Sequence, residues 1–398
     1  MPHDAPTRSP TDPGRRIVEI DIIRGFALFG VLLVNMLLFA YPSLYYEPMG
    51  MPGAGTLNRV VELSIRILAE GSFIAIFAFL FGLGFGMRSP ASGANMPKIE
   101  PALLIRRLAA LFVLGVLHGS LVWMGDILAL FAVSALALLF LSGQSGKTAI
   151  RLAVSGILLS TVLMSLQAFR RQSSLPDDVI SMAVQTYRAG SFTDITLQRM
   201  NEFIRGLLGQ VVRWGPQIAG LFILGAVAGA RRLHVYHERN HRLYRRIMWS
   251  GLATGLTIKL LYAVTVLAPV LKTEPDPVFA SVARGLAIGI GGPALGFAYM
   301  TALFLALRKA AVLQYARSLS YLGRMTLSNY IFQSLIATVL FYGYGFGLYG
   351  RYGAAFGFLM TIALYALQIP LSMIWLTRFR YGPLENLVRS FVYGRTAM

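Results

Sequence analysis

Two side chains that can exchange protons, His118 and Asp126, interrupt an otherwise apolar run over residues 108–141. A neutral imidazole beside a carboxylate is a general-base pair: the ring takes a proton from a hydroxyl or amine, while the carboxylate orients the ring and stabilises its charged form. At about 1.5 Å per helical residue the run is too long for one crossing of a hydrocarbon core about 30 Å thick. It must double back. Residues 119–125 suit the reversal, because glycine accepts turn dihedrals and Asp126 can cap the returning helix. In one continuous helix, residues eight apart are about 12 Å apart along the axis, so only a hairpin brings His118 and Asp126 to one solvent-reachable pocket. A plainer arrangement stays open, in which His118 bonds a hairpin carbonyl and Asp126 only caps a helix.

Other residues invite chemistry. Lys259 sits about 12 residues into an apolar run, roughly 18 Å from its basic end and too deep to snorkel, so it must face protein or water. The run that follows is broken by Gly289-Ile290-Gly291-Gly292-Pro293. Irregular backbone at membrane depth is tolerated only as a packed kink or as the wall of a wet cavity. Thr326, Asn329, Tyr330 and Gln333 fall on one helical face, either as glue between helices or as a ligand wall. Glu385 stands four residues before Arg389, a spacing that suits a surface ion pair. His237-Glu238-Arg239-Asn240-His241 matches the H-E-x-x-H zinc pattern. It lies among arginines and lacks an evident third protein ligand, so no metal is expected there. The absence of cysteine excludes thiolate nucleophiles, disulfides and iron–sulfur clusters.

These residues need a scaffold, and the composition says which kind. With 56% hydrophobic and 13% charged residues and a mean hydropathy of +0.62, the chain has too little polar surface for a water-facing globule. The expected fold is all-α, a polytopic membrane bundle of about ten transmembrane helices near 20–41, 71–88, 102–121, 126–143, 148–168, 214–231, 247–270, 279–307, 319–342 and 353–377. Lys and Arg concentrate in alternate connecting segments, which places both termini in the cytoplasm and turns the net charge of +19 into a topological signal rather than a nucleic-acid one. Residues 1–16 read as a disordered cytoplasmic tail rather than a signal peptide. The bundle divides into five spans over 17–168, a periplasmic amphipathic segment over 169–213 that lies across the outer surface as a lid, and five spans over 214–398. The small-residue face around Phe81-Gly82-Leu83-Gly84-Phe85-Gly86 allows a homodimer without requiring one.

Four motifs in order carry a family resemblance. They are Asp21-x-x-Arg24-Gly25-Phe26-Ala27; His118 with Trp123-x-Gly125-Asp126-Ile127-Leu128; Gly323-Arg324-Met325-x-Leu327-Ser328-Asn329-Tyr330-x-x-Gln333-Ser334; and Arg380-Tyr381-Gly382-Pro383-Leu384-Glu385. Together, from about Ile17 to Tyr393, they resemble the YeiB family of bacterial inner-membrane proteins, a domain of unknown function. That family is similar to the transmembrane acyltransferases, including the sugar O-acetylating enzymes and the heparan glucosaminide N-acetyltransferases. The resemblance implies transfer of an acyl group from acyl-CoA on the cytoplasmic side to a hydroxyl or amine acceptor in the membrane or periplasm. It implies a multi-pass protein of the bacterial inner membrane. One departure stands out: the O-acetylating enzymes have a histidine eleven residues after the first-span arginine, and this chain has Asn35 there. The base must then come from elsewhere, and His118 is the candidate.

In this expectation His118 is the base and Asp126 its partner. Asn35, Trp123, Lys259, Asn329, Tyr330 and Gln333 line the substrate site. Arg24, Arg106, Arg107 and Arg324, at the cytoplasmic ends of spans, hold the phosphates of acyl-CoA. The competing expectation is a small-solute or lipid transporter whose midplane site combines Lys259, the broken eighth span and the polar ninth-span face.

Overall fold

The computed structural model describes residues 17–40, 55–87, 96, 100–141, 143–170, 177–268, 271 and 273–394; the expected tail lies outside them. Eight helical stretches are long and apolar enough to cross a bilayer: Val18–Ala40, Thr56–Gly86, Pro101–Leu121, Gly146–Arg170, Phe192–Ala230, Glu238–Leu267, Pro277–Ala306 and Ala354–Arg378. Shorter apolar helices, Leu128–Leu141 and Thr326–Phe341, occupy the fourth and ninth expected places. Among the described residues there is no strand, and the all-α polytopic bundle stands.

The first helix, α1 (Val18–Ala40), is enclosed by its neighbours. Its Gly25 lies against the Leu319 carbonyl and its Asp21 carbonyl against Gly323, so a side chain at either glycine would collide with backbone. The second stretch consists of two helices, α2 (Thr56–Leu68) and α3 (Ser72–Gly86), bent at Gly71, whose φ of 78° favours glycine. Hydropathy alone misses α2, because Glu62 and Arg66 make it amphipathic. The next helix, α4 (Pro101–Leu121), turns back through residues 122–127 into α5 (Leu128–Ser134), which tightens to a 3₁₀ segment over Ala135–Leu141. Glycine is required at position 115, where Ala129 N and the Asp126 carboxylate press on the α4 backbone.

Beyond α6 (Gly146–Arg170) and α7 (Asp177–Ala189) runs α8 (Phe192–Ala230), 39 residues and roughly 58 Å long. Its start is set by a reciprocal cap between Ser191 and Asp194. The expected boundary at 213 therefore falls inside one helix: lid and sixth span are continuous, because no helix breaker separates them and Pro216 is accommodated. The freed backbone position next to that proline is used, Gln217 N–H donating to Ser160 Oγ at 2.8 Å. The small-residue face of α3 packs against α8, Gly82 on the Phe222 carbonyl and Gly86 on the Ala226 carbonyl. That face is thus spent inside the chain and is not open to a second copy.

The remaining elements are α9 (His241–Leu267), α10 (Pro277–Leu286), α11 (Gly292–Ala306), the short α12 (Ala310–Ala316) and α13 (Leu319–Arg324), α14 (Thr326–Phe341), α15 (Ala354–Arg378) and α16 (Pro383–Tyr393). The broken eighth span is a π-helical turn, Ala287–Gly291, between α10 and α11. It is a packed kink. Gln217 donates to the carbonyls of Ile288 at 3.0 Å and Gly289 at 2.9 Å, while Gly289 faces Thr161 and Gly292 faces Gly71. The ninth span is likewise interrupted, at Met325, between α13 and α14.

Candidate functional site

The hairpin delivers both proton-exchanging residues to one place. His118, in the last turn of α4, has Nδ1 2.8 Å from Asp126 Oδ1. The other carboxylate oxygen, Oδ2, accepts the Ala129 N–H at 2.8 Å at the start of α5. Asp126 therefore both holds the ring and caps the returning helix, so the two arrangements open from the sequence are combined in one side chain. In the tautomer that donates Nδ1–H to the carboxylate, Nε2 is a lone-pair acceptor. Nε2 is buried and has no hydrogen-bond partner.

Two aromatic residues complete this wall. Tyr330 of α14 lies with its ring centroid 5.2 Å from the imidazole, and Trp123 of the hairpin turn at 6.4 Å. The Trp123 backbone N–H donates to the His118 carbonyl at 2.8 Å, which fixes one residue relative to the other. The far face of the indole rests on Phe39 of α1 at 4.2 Å. Trp123 Nε1 is buried without a partner, and Tyr330 Oη approaches the Ile127 backbone and the Asp126 carboxylate without closing a hydrogen bond of ordinary geometry. The expected opening to solvent is absent: His118 is 3% exposed and Asp126 0%. Neighbouring α8 covers the pair, with Phe203 seated on Gly119.

The hairpin end is held by a residue the sequence did not single out. Arg199 of α8, fully buried, donates through Nε to the Ser120 carbonyl at 3.1 Å, through Nη1 to Val122 at 2.7 Å, and through Nη2 to Leu121 and to Thr196 Oγ1. Carbonyls at a helix end lack partners in their own helix, and a cation is favoured there. Above it α7 is tied down: Tyr187 Oη donates to Glu202 Oε2 at 2.6 Å, its carbonyl accepts Gly343 N–H, and Arg188 Nε donates to the Tyr349 carbonyl at 2.9 Å. Tyr187, Tyr342 and Tyr349 form a cluster of tilted and edge-on rings.

Two of the motifs meet beneath Tyr330. Glu385 accepts the N–H groups of Leu327 at 2.7 Å and Ser328 at 3.2 Å, and the Ser328 hydroxyl at 2.5 Å. The Ser328 Oγ in turn accepts the Leu384 N–H at 3.0 Å, so α14 and α16 cap each other. The spacing to Arg389 misled: Glu385 spends its oxygens on α14, and Arg389 lies over the rings of Tyr381 and Tyr393. Burial pushes the Glu385 carboxyl above its ordinary value, against the pull of these hydrogen bonds.

The polar ninth-span face divides. Successive residues are turned about 100° apart, so Asn329 and Tyr330 point to different helices. Asn329 Nδ2 donates to Ser372 Oγ at 3.0 Å and Gln333 Nε2 to Gln368 Oε1 at 2.8 Å, both between α14 and α15. Lys259 is elsewhere too. Its Nζ donates to the carbonyls of Arg66 at 3.2 Å and Glu70 at 2.7 Å, at the α2–α3 bend. Arg66 pairs with Glu62 at 2.7 Å and Glu70 at 3.8 Å. The Lys259 stem adjoins Gly291 of the π-turn, but Asn329 and Gln333 have no part in that cluster, so the three-part midplane site is not assembled. Asn35 is half-buried one turn before Phe39 on α1, on the side that approaches Trp123.

The arginines are dispersed over one end of the bundle. Arg24 pairs with Asp21 at 3.2 Å, Arg106 is exposed, Arg107 lies over Phe81 and Phe85, and Arg324 Nη2 reaches the Arg380 carbonyl at 3.5 Å. The H-E-x-x-H stretch is not one helical turn: His237 is extended, Glu238–Asn240 is 3₁₀, and His241 Nδ1 bonds Tyr236 Oη. No group of three or more metal-binding side chains occurs among the described residues.

The family "Protein of unknown function (DUF418)" matches residues 228–395, the C-terminal stretch that carries Lys259, Tyr330 and Glu385. Uncharacterized protein YxaH of Bacillus subtilis (strain 168) is 31% identical over 96% of this chain and 96% of its own length. Uncharacterized protein YeiB of Escherichia coli (strain K12) is 28% identical over 94% and 95%. The chain belongs to this YeiB-like family. An uncharacterized 39.9 kDa protein in the amylase 3′ region of Bacillus acidopullulyticus is 26% identical over 96% and 94%, so these family relatives extend over the His118 hairpin as well. No solved structure matches the chain.

Proposed function

We propose that this YeiB-like protein is an acyltransferase of the bacterial inner membrane, with both termini in the cytoplasm. It takes an acyl group from acyl-CoA and delivers it to a hydroxyl or amine presented from the membrane or periplasm. The observation that carries the reading is the buried His118–Asp126 pair, 2.8 Å apart, whose second imidazole nitrogen has no partner. A natural protein seldom leaves such an atom unsatisfied without a use for it. In the step proposed, Nε2 takes the proton from the acceptor as its oxygen or nitrogen bonds to the thioester carbonyl carbon. The carbon–sulfur bond then breaks, and the proton passes to the coenzyme A thiolate. Asp126 stabilises the imidazolium between the two events.

Arg24, Arg106, Arg107 and Arg324 are the phosphate ligands of the donor in this scheme; Arg106 is exposed, and the part-exposed Arg24 would exchange its Asp21 partner for the phosphate. Entry to the enclosed pair requires that the first half of α8, whose Phe203 is seated on Gly119, move aside. The test is release of free coenzyme A thiol from acetyl-CoA by the purified protein in lipid nanodiscs, with n-octyl glucoside as hydroxyl acceptor. Turnover that disappears in a folded His118→Gln variant supports the reading; equal release by both proteins rejects it.

A further inference from the structure

Three buried polar side-chain atoms without a hydrogen-bond partner belong to His118 and to the two rings that flank it: His118 Nε2, Trp123 Nε1 at 6.4 Å between ring centroids, and Tyr330 Oη at 5.2 Å. Each such atom forfeits its hydration when left dry, and native proteins hold few of them. Here the three are complementary. In the tautomer that donates Nδ1–H to Asp126, Nε2 accepts, the indole Nε1–H donates, and the phenol can donate. A group that fits presents one proton to the imidazole and one electron-rich oxygen to the indole and the phenol.

We infer that Trp123 Nε1–H and Tyr330 Oη–H donate to the thioester carbonyl oxygen and take up the negative charge that builds there as the acceptor attacks. The inference rests on the acyl-transfer reading above and assigns the part of the site that reading leaves empty. Donors of this kind accelerate a reaction because they are already in place, and both are held rigidly. Trp123 is tied by its backbone to the His118 carbonyl and braced on Phe39. Tyr330 is carried between Asn329 and Gln333, which lock α14 to α15, and just beyond the Ser328–Glu385 cap. Charge is conserved through the step. As the carbonyl oxygen becomes anionic, His118 becomes cationic beside Asp126, and on collapse the proton leaves with the thiolate.

The experiment compares the full-length wild type with Trp123→Phe and Tyr330→Phe in nanodiscs, substitutions that remove a single donor and keep the ring. Thermal unfolding confirms folding, and if Tyr330→Phe fails to fold, Trp123→Phe decides alone. Two readouts are taken: kcat and KM for acetyl-CoA with n-octyl glucoside, and affinity for butylboronic acid, whose tetrahedral anion resembles the transferred centre. The expected result is a fall in kcat of roughly 10²–10³-fold per donor with KM within about two-fold. Boronate affinity falls at least about tenfold, and affinity for neutral n-octyl glucoside is unchanged. Unchanged kcat and boronate affinity in both variants overturns the inference and leaves the three atoms as hosts for a buried water. If the wild type does not turn over acetyl-CoA, the acyl-transfer reading fails separately and boronate binding decides. Affinity lost in the variants upholds the donor pair; affinity unchanged, or no binding by the wild type, overturns it.

Discussion

At the α2–α3 bend and at the α4–α5 turn a buried cation from a distant helix bonds the carbonyls at a helix end. Lys259 does so for Arg66 and Glu70, and Arg199 for Ser120, Leu121 and Val122. The surroundings differ. Around Lys259, charge answers charge: Arg66 lies between Glu62 and Glu70, and the one carboxylate oxygen there that accepts no hydrogen bond, Glu70 Oε2, still has the Arg66 guanidinium at 3.8 Å. Around Arg199 the partners are neutral carbonyls and the Thr196 hydroxyl, and the ionisable pair one turn away keeps a nitrogen with nothing to bond. Buried charge shapes the fold at the first turn, whereas at the second, in the proposed acyl transfer, it positions the reacting side chain.

Substitutions can break this contrast. Arg199→Met should have the largest effect, because it leaves three buried carbonyls unpaired and frees the hairpin end; a loss of about 3–5 kcal/mol is expected in denaturant unfolding of the reconstituted protein, and acyl transfer falls with it. Asp126→Asn should leave the fold nearly intact but slow transfer by about 10²–10⁴-fold, because the ring loses the partner that holds its proton on Nδ1. Lys259→Met should cost about 2–4 kcal/mol in unfolding, with transfer per folded molecule preserved. The reverse pattern, a stable fold with lost transfer, would erase the distinction between the two turns.

Two smaller effects sharpen the picture. Ser328→Ala removes one side of the mutual cap between α14 and α16 and should cost about 1 kcal/mol, read as a shift in the unfolding midpoint. His234, in the connection between α8 and α9, is held below its ordinary value by burial and by neighbouring Arg232. The folded state thus prefers the neutral ring. Its contribution to stability is present above pH 6.5 and lost as pH falls through the depressed value, so protection against amide exchange in residues 231–240, taken relative to the intrinsic rate at each pH, should fall on acidification.

The membrane bundle was legible because long apolar runs leave few alternatives, and the His118–Asp126 contact because glycines bracket a turn of fitting length. What stayed hidden depends on distant partners. Arg199 sits in a stretch whose polar–apolar period matches a surface lid, and nothing local reveals that its face turns inward onto the α4 carbonyls. The Glu385–Arg389 spacing suggested a local pair, yet amides 57 and 58 residues away outcompete the arginine. Helical face groups Tyr330 with Asn329 and Gln333, but neighbouring residues on α14 serve different helices. Gln217, which satisfies the carbonyls of the π-turn, reads in sequence as one polar residue in an apolar span.

The most direct test of the central claim is a double-mutant cycle on transfer rate with His118→Gln, Asp126→Asn and both together, measured on folded protein in nanodiscs. If the two residues act as one base, the double variant is no slower than His118→Gln alone. Losses that multiply, or a His118→Gln protein as active as the wild type, would contradict it.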